Sequence, residues 1–173
     1  MKIERHSLYN GGNRMKNKML IICIVVAIIV IGLVMIIVKD KNKDIQINIE
    51  DLASKIAENN YFEDQLEKVD SEMIMEAYNF SSDEIEKLVS YQGSGASSEE
   101  IVILQVKDKS KLNSVKDKIN KRLEERKEAF ENYLPKEVGK IENNILRVEG
   151  NYIILCISND NNGVNKLLNE YLK

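Results

Sequence analysis

The side chains that could do chemistry in this 173-residue chain fall in a few short stretches. Glu99-Glu100 is a pair of adjacent carboxylates. Two carboxylates can serve as acid and base on a glycosidic bond, but only if they project into one space. These two open a predicted strand, where neighbours point to opposite faces, so solvated surface is the expected place for both. Just before them, Gly93-Ser94-Gly95-Ala96-Ser97-Ser98 has the composition of a phosphate loop. A phosphate cradle needs a helix N-terminus immediately after its glycines. Here the loop lacks a following Lys, leads into a strand and precedes two acids that repel anions, so a hairpin turn is expected. Ser158-Asn159-Asp160-Asn161-Asn162-Gly163 resembles the first half of a calcium loop, with oxygens at positions 1, 3 and 5 and Gly at 6. Position 12 would be Asn169, and Asp160 alone is too little charge for tight calcium binding. A strand-to-helix loop with an Asn cap is predicted instead.

What is missing is equally informative. The single histidine is His6, far from every stretch above. A Ser–His–Asp or Cys–His nucleophile cannot be assembled without it, and zinc lacks its usual ligands. Cys23 and Cys156 are the two cysteines. Cys23 lies inside an apolar run and has no small residue before it, as a lipidation site would require. Cys156 lies in a strand-like run, so a disulfide between them is not expected. Sugar stacking would have to use Tyr61, Tyr91 or Tyr152, because there is no Trp. No catalytic, cofactor-binding or metal-ligating residue is assigned, and no cofactor is implied.

Elements positioning these stretches follow from periodicity. Asn48 can cap a helix whose apolar stripe is Leu52, Ala53, Ile56 and Ala57, ended by Asn59-Asn60. Phe62, Leu66 and Val69 anchor an irregular or strand-like stretch. Ser71 opens a short helix with Met73, Ile74 and Ala77, and Ser81 or Ser82 caps a further turn holding Ile85. Leu88–Tyr91 and Glu100–Val106 are predicted strands. A long helix runs from about Ser110 to Tyr133 with Leu112, Val115, Ile119, Leu123, Phe130 and Tyr133 on one face and Arg126 interrupting. Leu134-Pro135 ends it, and Pro135 starts a short helix through Val138. Ile145–Val148 and Tyr152–Ile157 form a hairpin joined by Glu149-Gly150-Asn151. A last helix runs from about Val164 to Leu172. The order is α+β: about four mainly antiparallel strands with helices packed on a face, one of them long.

Charge and hydropathy divide the chain. The whole carries −3, with 43% hydrophobic and 31% charged residues. Eight basic and three acidic side chains leave residues 1–44 at +5, whereas seventeen basic and 25 acidic leave 45–173 at −8. The long helix is basic, with Lys109, Lys111, Lys116, Lys118, Lys121, Arg122, Arg126 and Lys127, but acids interleave and the body is acidic. Nucleic acid is not an expected partner. Met19 to Val38 is a run of 20 residues without charge, Pro, Asn or Ser. At about 1.5 Å per residue a helix of that length spans a bilayer core of roughly 30 Å. Five Lys/Arg before it and three in Lys39–Lys43 favour an inward N-terminus. The expected organisation is a short basic cytoplasmic tail at 1–18, a transmembrane helix at 19–38, a linker at 39–46 and an extracytoplasmic α+β domain at 47–173. The run is too long for a signal peptide and lacks a small-residue cleavage site, so an uncleaved single-pass anchor is expected.

Four phrases then carry a resemblance: Gly93 to Ile103, Arg122-Leu123-Glu124-Glu125-Arg126, Phe130 to Val138, and Gly150-Asn151-Tyr152-Ile153-Ile154-Leu155. In order and spacing they resemble a family of clostridial envelope proteins catalogued as domain of unknown function 4358, over roughly Leu52 to Leu168. The resemblance implies one such domain behind an N-terminal membrane helix or lipoprotein signal. It implies no activity. The expected function is a membrane-anchored accessory or interaction module of the bacterial envelope, working without catalysis. Its expected partners are the membrane and another envelope membrane protein or wall polymer. The rivals are an enzyme acting on an envelope polymer through carboxylates, and a small-ligand-sensing domain.

Overall fold

The computed structural model describes residues 19–32 and 46–173. The tail at 1–18, His6, and most of the expected linker lie outside them. Contacts divide the chain into two units, Met1–Asp44 and Ile45–Lys173. In the first, residues 19–32 form a helix, α1, whose apolar side chains are exposed. None of the described helices is long and apolar enough to cross a membrane, and residues 33–38 of the uncharged run are not among those described.

The second unit is α+β. Its elements are α2 (Ile49–Ala57), β1 (Glu67–Val69), α3 (Ser71–Ala77), β2 (Ile85–Gln92), β3 (Glu100–Val106), a 3₁₀ turn (Lys109–Lys111), α4 (Leu112–Glu131), α5 (Pro135–Glu142), β4 (Ile145–Glu149), β5 (Tyr152–Ile157) and α6 (Asn161–Tyr171). All pairings are antiparallel, in the order β1-β2-β3-β5-β4. The fifth strand beyond the expected four is β1, three residues drawn from the stretch that reads as irregular or strand-like.

Helices cover both faces of the sheet rather than one. β3 and β5 are apolar at consecutive positions, so both of their faces must be buried. Val102, Leu104, Val106, Ile153, Leu155 and Ile157 pack toward α3, α4 and α5. Ile101, Ile103, Ile154 and Cys156 pack the other way, toward α2 and α6. Asn48 caps α2 by accepting from the Asp51 N–H, as its position predicts. Asp160, rather than an Asn, caps α6 by accepting from the Gly163 N–H. Ser71 opens α3 as expected, and Asp70 caps it by accepting from the Glu72 N–H.

Packing settles three details of the helices and turns. Ile85 closes the turn expected after Ser81, donating its N–H to the Ser81 carbonyl, and also opens β2 opposite Val106. Met73 is exposed, and so is Tyr133, expected on the apolar face of the long helix. α3 turns Ile74 and the partly buried Met75 to the core, with Tyr78 following at its end, and Tyr133 falls past the last turn of α4, where the chain has already left the helical spiral.

Candidate functional site

The start of β3 is the most concentrated polar chemistry in the domain. The backbone alternation holds: Glu99 and Glu100 point to opposite faces. Both are wholly buried, however, which corrects the expectation of solvated surface. An ionised carboxylate leaves water only when charge and hydrogen bonds replace its hydration. Each of these two has such a set, drawn from distant parts of the chain.

Glu100 turns toward α4. It accepts from the Tyr78 hydroxyl at 2.8 Å and the Gln92 amide at 2.6 Å, and it pairs with the Arg126 guanidinium. Arg126 also donates to the Ser98 carbonyl at 3.1 Å, which fixes its fork on both sides of the strand start. Burial, reinforced by Glu100, pushes the Tyr78 hydroxyl well above its ordinary range, so it stays a donor. Arg126 thus sits in the apolar stripe of α4 for a reason. A buried guanidinium on such a stripe signals a buried carboxylate opposite, and this was the one sequence signal for the pair.

Glu99 turns toward the segment between α2 and β1. It accepts from the Glu63 N–H and, at 2.8 Å, from the Asp64 N–H. The Lys140 ammonium of α5 lies 3.1 Å away. The same ammonium reaches Glu63 at 3.0 Å and Glu137 at 3.4 Å. Glu137, also buried, accepts from both the N–H and the hydroxyl of Ser98 at 2.9 Å. Burial raises the Glu137 carboxyl, but the Ser98 donors and Lys140 outweigh it and hold the group below its ordinary value. Burial lowers Lys140, and its three carboxylates outweigh that too, so its ammonium is held above the ordinary range. Nothing in the local sequence of α5 marks Glu137 and Lys140; only the tertiary packing brings them to β3.

The Gly93–Ser98 loop is the hairpin turn expected from its sequence. Asp64 accepts from the Ser94 N–H at 2.6 Å, and Ser94 holds the Asp64 carboxyl below its ordinary value. The loop therefore donates to protein carboxylates and has no helix behind it to hold a phosphate. The Ser158–Gly163 stretch ends β5 and enters α6. Its backbone is tied to the Tyr61 carbonyl by the N–H groups of Asn159 and Asp160. Among the described residues, no group of three His, Cys, Asp or Glu side chains is arranged to hold a metal ion.

Glu137 and Lys140 together line two shallow depressions of about 270 and 320 Å³ beside Glu63 and Lys136. Of the carboxylates that reach these surfaces, Glu137 is already bonded to Ser98 and Lys140, Glu63 to Lys140 and Asp64 to the Ser94 N–H. The arrangement can hold the loop, α4, α5 and the α2–β1 segment onto the sheet end. To act as a base, Glu137 would first have to release its three donors. On α4, Lys118 is neutralised by Glu84, Arg126 by Glu100 and Lys127 by Glu142, and Lys111 in the turn before it pairs with Asp83.

Residues 62–158, more than half of the chain, match the family described as domain of unknown function (DUF4358). No curated protein and no solved structure matches the chain. The matched segment begins at the α2–β1 connection and ends just after β5, so it contains Glu63, Glu99, Glu100, Arg126, Glu137 and Lys140.

Proposed function

The chain belongs to the DUF4358 family, and from that premise we propose that it is a membrane-anchored accessory or interaction module of the bacterial cell envelope. In this reading residues 1–18 are a cytoplasmic tail, 19–38 cross the membrane, 39–46 are a linker and 47–173 are the extracytoplasmic domain. The observation that carries it is the 20-residue uncharged run Met19–Val38 standing directly before an acidic, independently cored body. Its length matches a bilayer core of roughly 30 Å, and its Lys/Arg flanks favour an inward N-terminus.

A non-catalytic role is supported by the state of the carboxylates. A hydrolase of envelope polymer would need an acid and a base facing one cleft with oxygens free for substrate. Glu99 and Glu100 diverge to the two faces of the sheet, and each is consumed by donors from its own fold.

Two measurements test the reading. Protease added to intact cells should remove the body and spare the N-terminal tail; full protection of the body would overturn the orientation. Crosslinked capture of the full-length chain from native membranes should enrich one envelope protein. A control keeping Met1–Asp44 with an unrelated outer domain should not. Equal recovery by both would overturn the interaction role of the domain.

A further inference from the structure

The two edges of the sheet are unlike. β1 closes one edge with three residues, and Glu67 and Lys68 are charged and exposed. Lys68 is also tied to Glu50 of α2 at 2.6 Å. Short charged strands are how folds keep an edge from pairing with another chain. β4, at the opposite edge, is five residues long and, among the described residues, pairs only with β5. It has no Pro, no Lys and no break in register, and Val148 on it is 37% exposed.

The hairpin decides which backbone groups of β4 face outward. Glu149 pairs with Tyr152 across the two-residue loop Gly150-Asn151, so this is a hydrogen-bonded pair. By antiparallel alternation, Arg147–Ile154 and Ile145–Cys156 are the next such pairs. The N–H and C=O groups of Leu146 and Val148 therefore point away from β5, with no strand opposite them among the described residues.

We propose that β4 is a homodimerisation edge, to which a second copy of this chain adds its own β4 antiparallel about a two-fold axis at Val148. Only residues with outward-facing groups can exchange hydrogen bonds across that axis. Three registers satisfy this, with the axis at Leu146, Arg147 or Val148. Charge selects among them. An axis at Arg147 sets the two Arg147 side chains directly opposite each other, which is repulsive. An axis at Leu146 sets Arg147 against Ile145 and Glu149 against Asn143, leaving both charges without a cross-strand partner. An axis at Val148 sets Arg147 against Glu149 of the second copy, and the reverse. Arg147 Nε already lies 2.6 Å from Glu149 within one strand, so the dimer closes a ring of alternating Arg and Glu. On the other face, the exposed Val148 meets its counterpart. The two five-stranded sheets become one continuous sheet. The pairing rests on the sheet edge alone and is independent of how the chain is anchored.

Disulfide trapping of the purified full-length chain tests this, in a Cys23→Ser background that leaves only the buried Cys156. Hydrogen-bonded antiparallel partners have Cα atoms about 5.5 Å apart, within disulfide reach. Val148→Cys should give a crosslinked dimer under mild oxidation, and Lys68→Cys on the guarded edge should give none. Adding Arg147→Glu to Val148→Cys should abolish the dimer, and adding Glu149→Arg as well should restore it. Because Arg147 also donates to Asn169 of α6, a loss from Arg147→Glu alone could be local, and the restoration decides. Val148→Cys no more crosslinked than Lys68→Cys, failure of the reversed pair to restore the dimer, or Arg147→Cys crosslinking with itself instead would each overturn the proposal.

Discussion

Glu99 and Lys140 meet at 3.1 Å although they stand 41 residues apart, and the carboxylate they neutralise is wholly buried. Lys140 is the only ammonium within ion-pair distance of Glu99 among the described residues, and it serves Glu63 and Glu137 as well. Lys140→Met therefore strands two buried carboxylates together. Removing one partner of a buried ion pair typically costs about 3–5 kcal/mol. Urea unfolding of the full-length chain should show a loss of that order. A loss within the range of surface substitutions would mean that the backbone N–H groups of Glu63 and Asp64 suffice for Glu99.

The second buried pair, Glu100 with Arg126, should be strongly non-additive. Arg126→Met leaves Glu100 charged with only Tyr78 and Gln92 as donors. Glu100→Gln removes the charge while keeping an acceptor for the Tyr78 hydroxyl. The double variant should be more stable than Arg126→Met alone, because no bare charge remains buried. Thermal midpoints of the two single variants and the double variant check this. A double variant less stable than Arg126→Met would show that the pair is not coupled in this way.

Acid stability should depend on Glu84. Burial raises its carboxyl, but Lys118, the Ser81 N–H and the Ser114 hydroxyl outweigh this and bring it from 4.5 down to about 2. A carboxyl held lower in the folded state stabilises fully above its unfolded value, and this contribution fades as pH falls from 4.5 toward about 2. Lys118→Met should flatten that part of the stability curve and lower stability at neutral pH. Chemical denaturation at a series of pH values measures both effects. An unchanged slope between pH 4.5 and 2 would assign the acid sensitivity to other groups.

Cys156 should be inert while the domain is folded. Its thiol is buried in β5, and burial pushes it up to about 12. The thiolate is the reactive form, so both access and ionisation oppose alkylation. In a Cys23→Ser chain, maleimide should label nothing in buffer and one site in urea, read by intact mass. Labelling in buffer would show that β5 opens readily.

Gly163 should not tolerate a side chain. It lies in the first turn of α6, where Ala is ordinarily favoured over Gly by about 1 kcal/mol. A Cβ there would strike the ring edge of Tyr61 and lie 2.6 Å from the Asp160 carboxylate that caps the helix. Tyr61 is itself held by its carbonyl, which accepts from the Asn159 and Asp160 N–H groups, and cannot easily retreat. Gly163→Ala should destabilise by about 1–3 kcal/mol, the usual cost of overpacking. Equal or greater stability would mean that the Tyr61 ring swings away.

Local physics made much of the fold readable. The apolar runs Glu100–Val106 and Tyr152–Ile157 are strands with the bounds their composition implies. Gly150 takes the positive φ of 62° that its hairpin requires. Asn48 and Pro135 mark helix starts where side-chain capping and a fixed φ place them. β1 was harder to see, because three residues give no period and the strand exists only by leaning on Ser90–Gln92.

The buried polar cluster had to wait for the tertiary structure. By sequence, Glu99 and Glu100 are two acids at a strand start, and acids are seldom buried unless paired. Their partners lie far away in the chain: Tyr78, Arg126 and Lys140 come from α3's end, α4 and α5. Amino-acid order alone established the family, the α+β class, most element positions and the uncharged run before the body. Only the packed fold decided that both sheet faces are covered, that these carboxylates leave water, and that β4 is unpaired on one side among the described residues. The reason is physical. Secondary structure follows from neighbours a few residues apart, whereas desolvation and ion pairing depend on which distant elements close around a side chain.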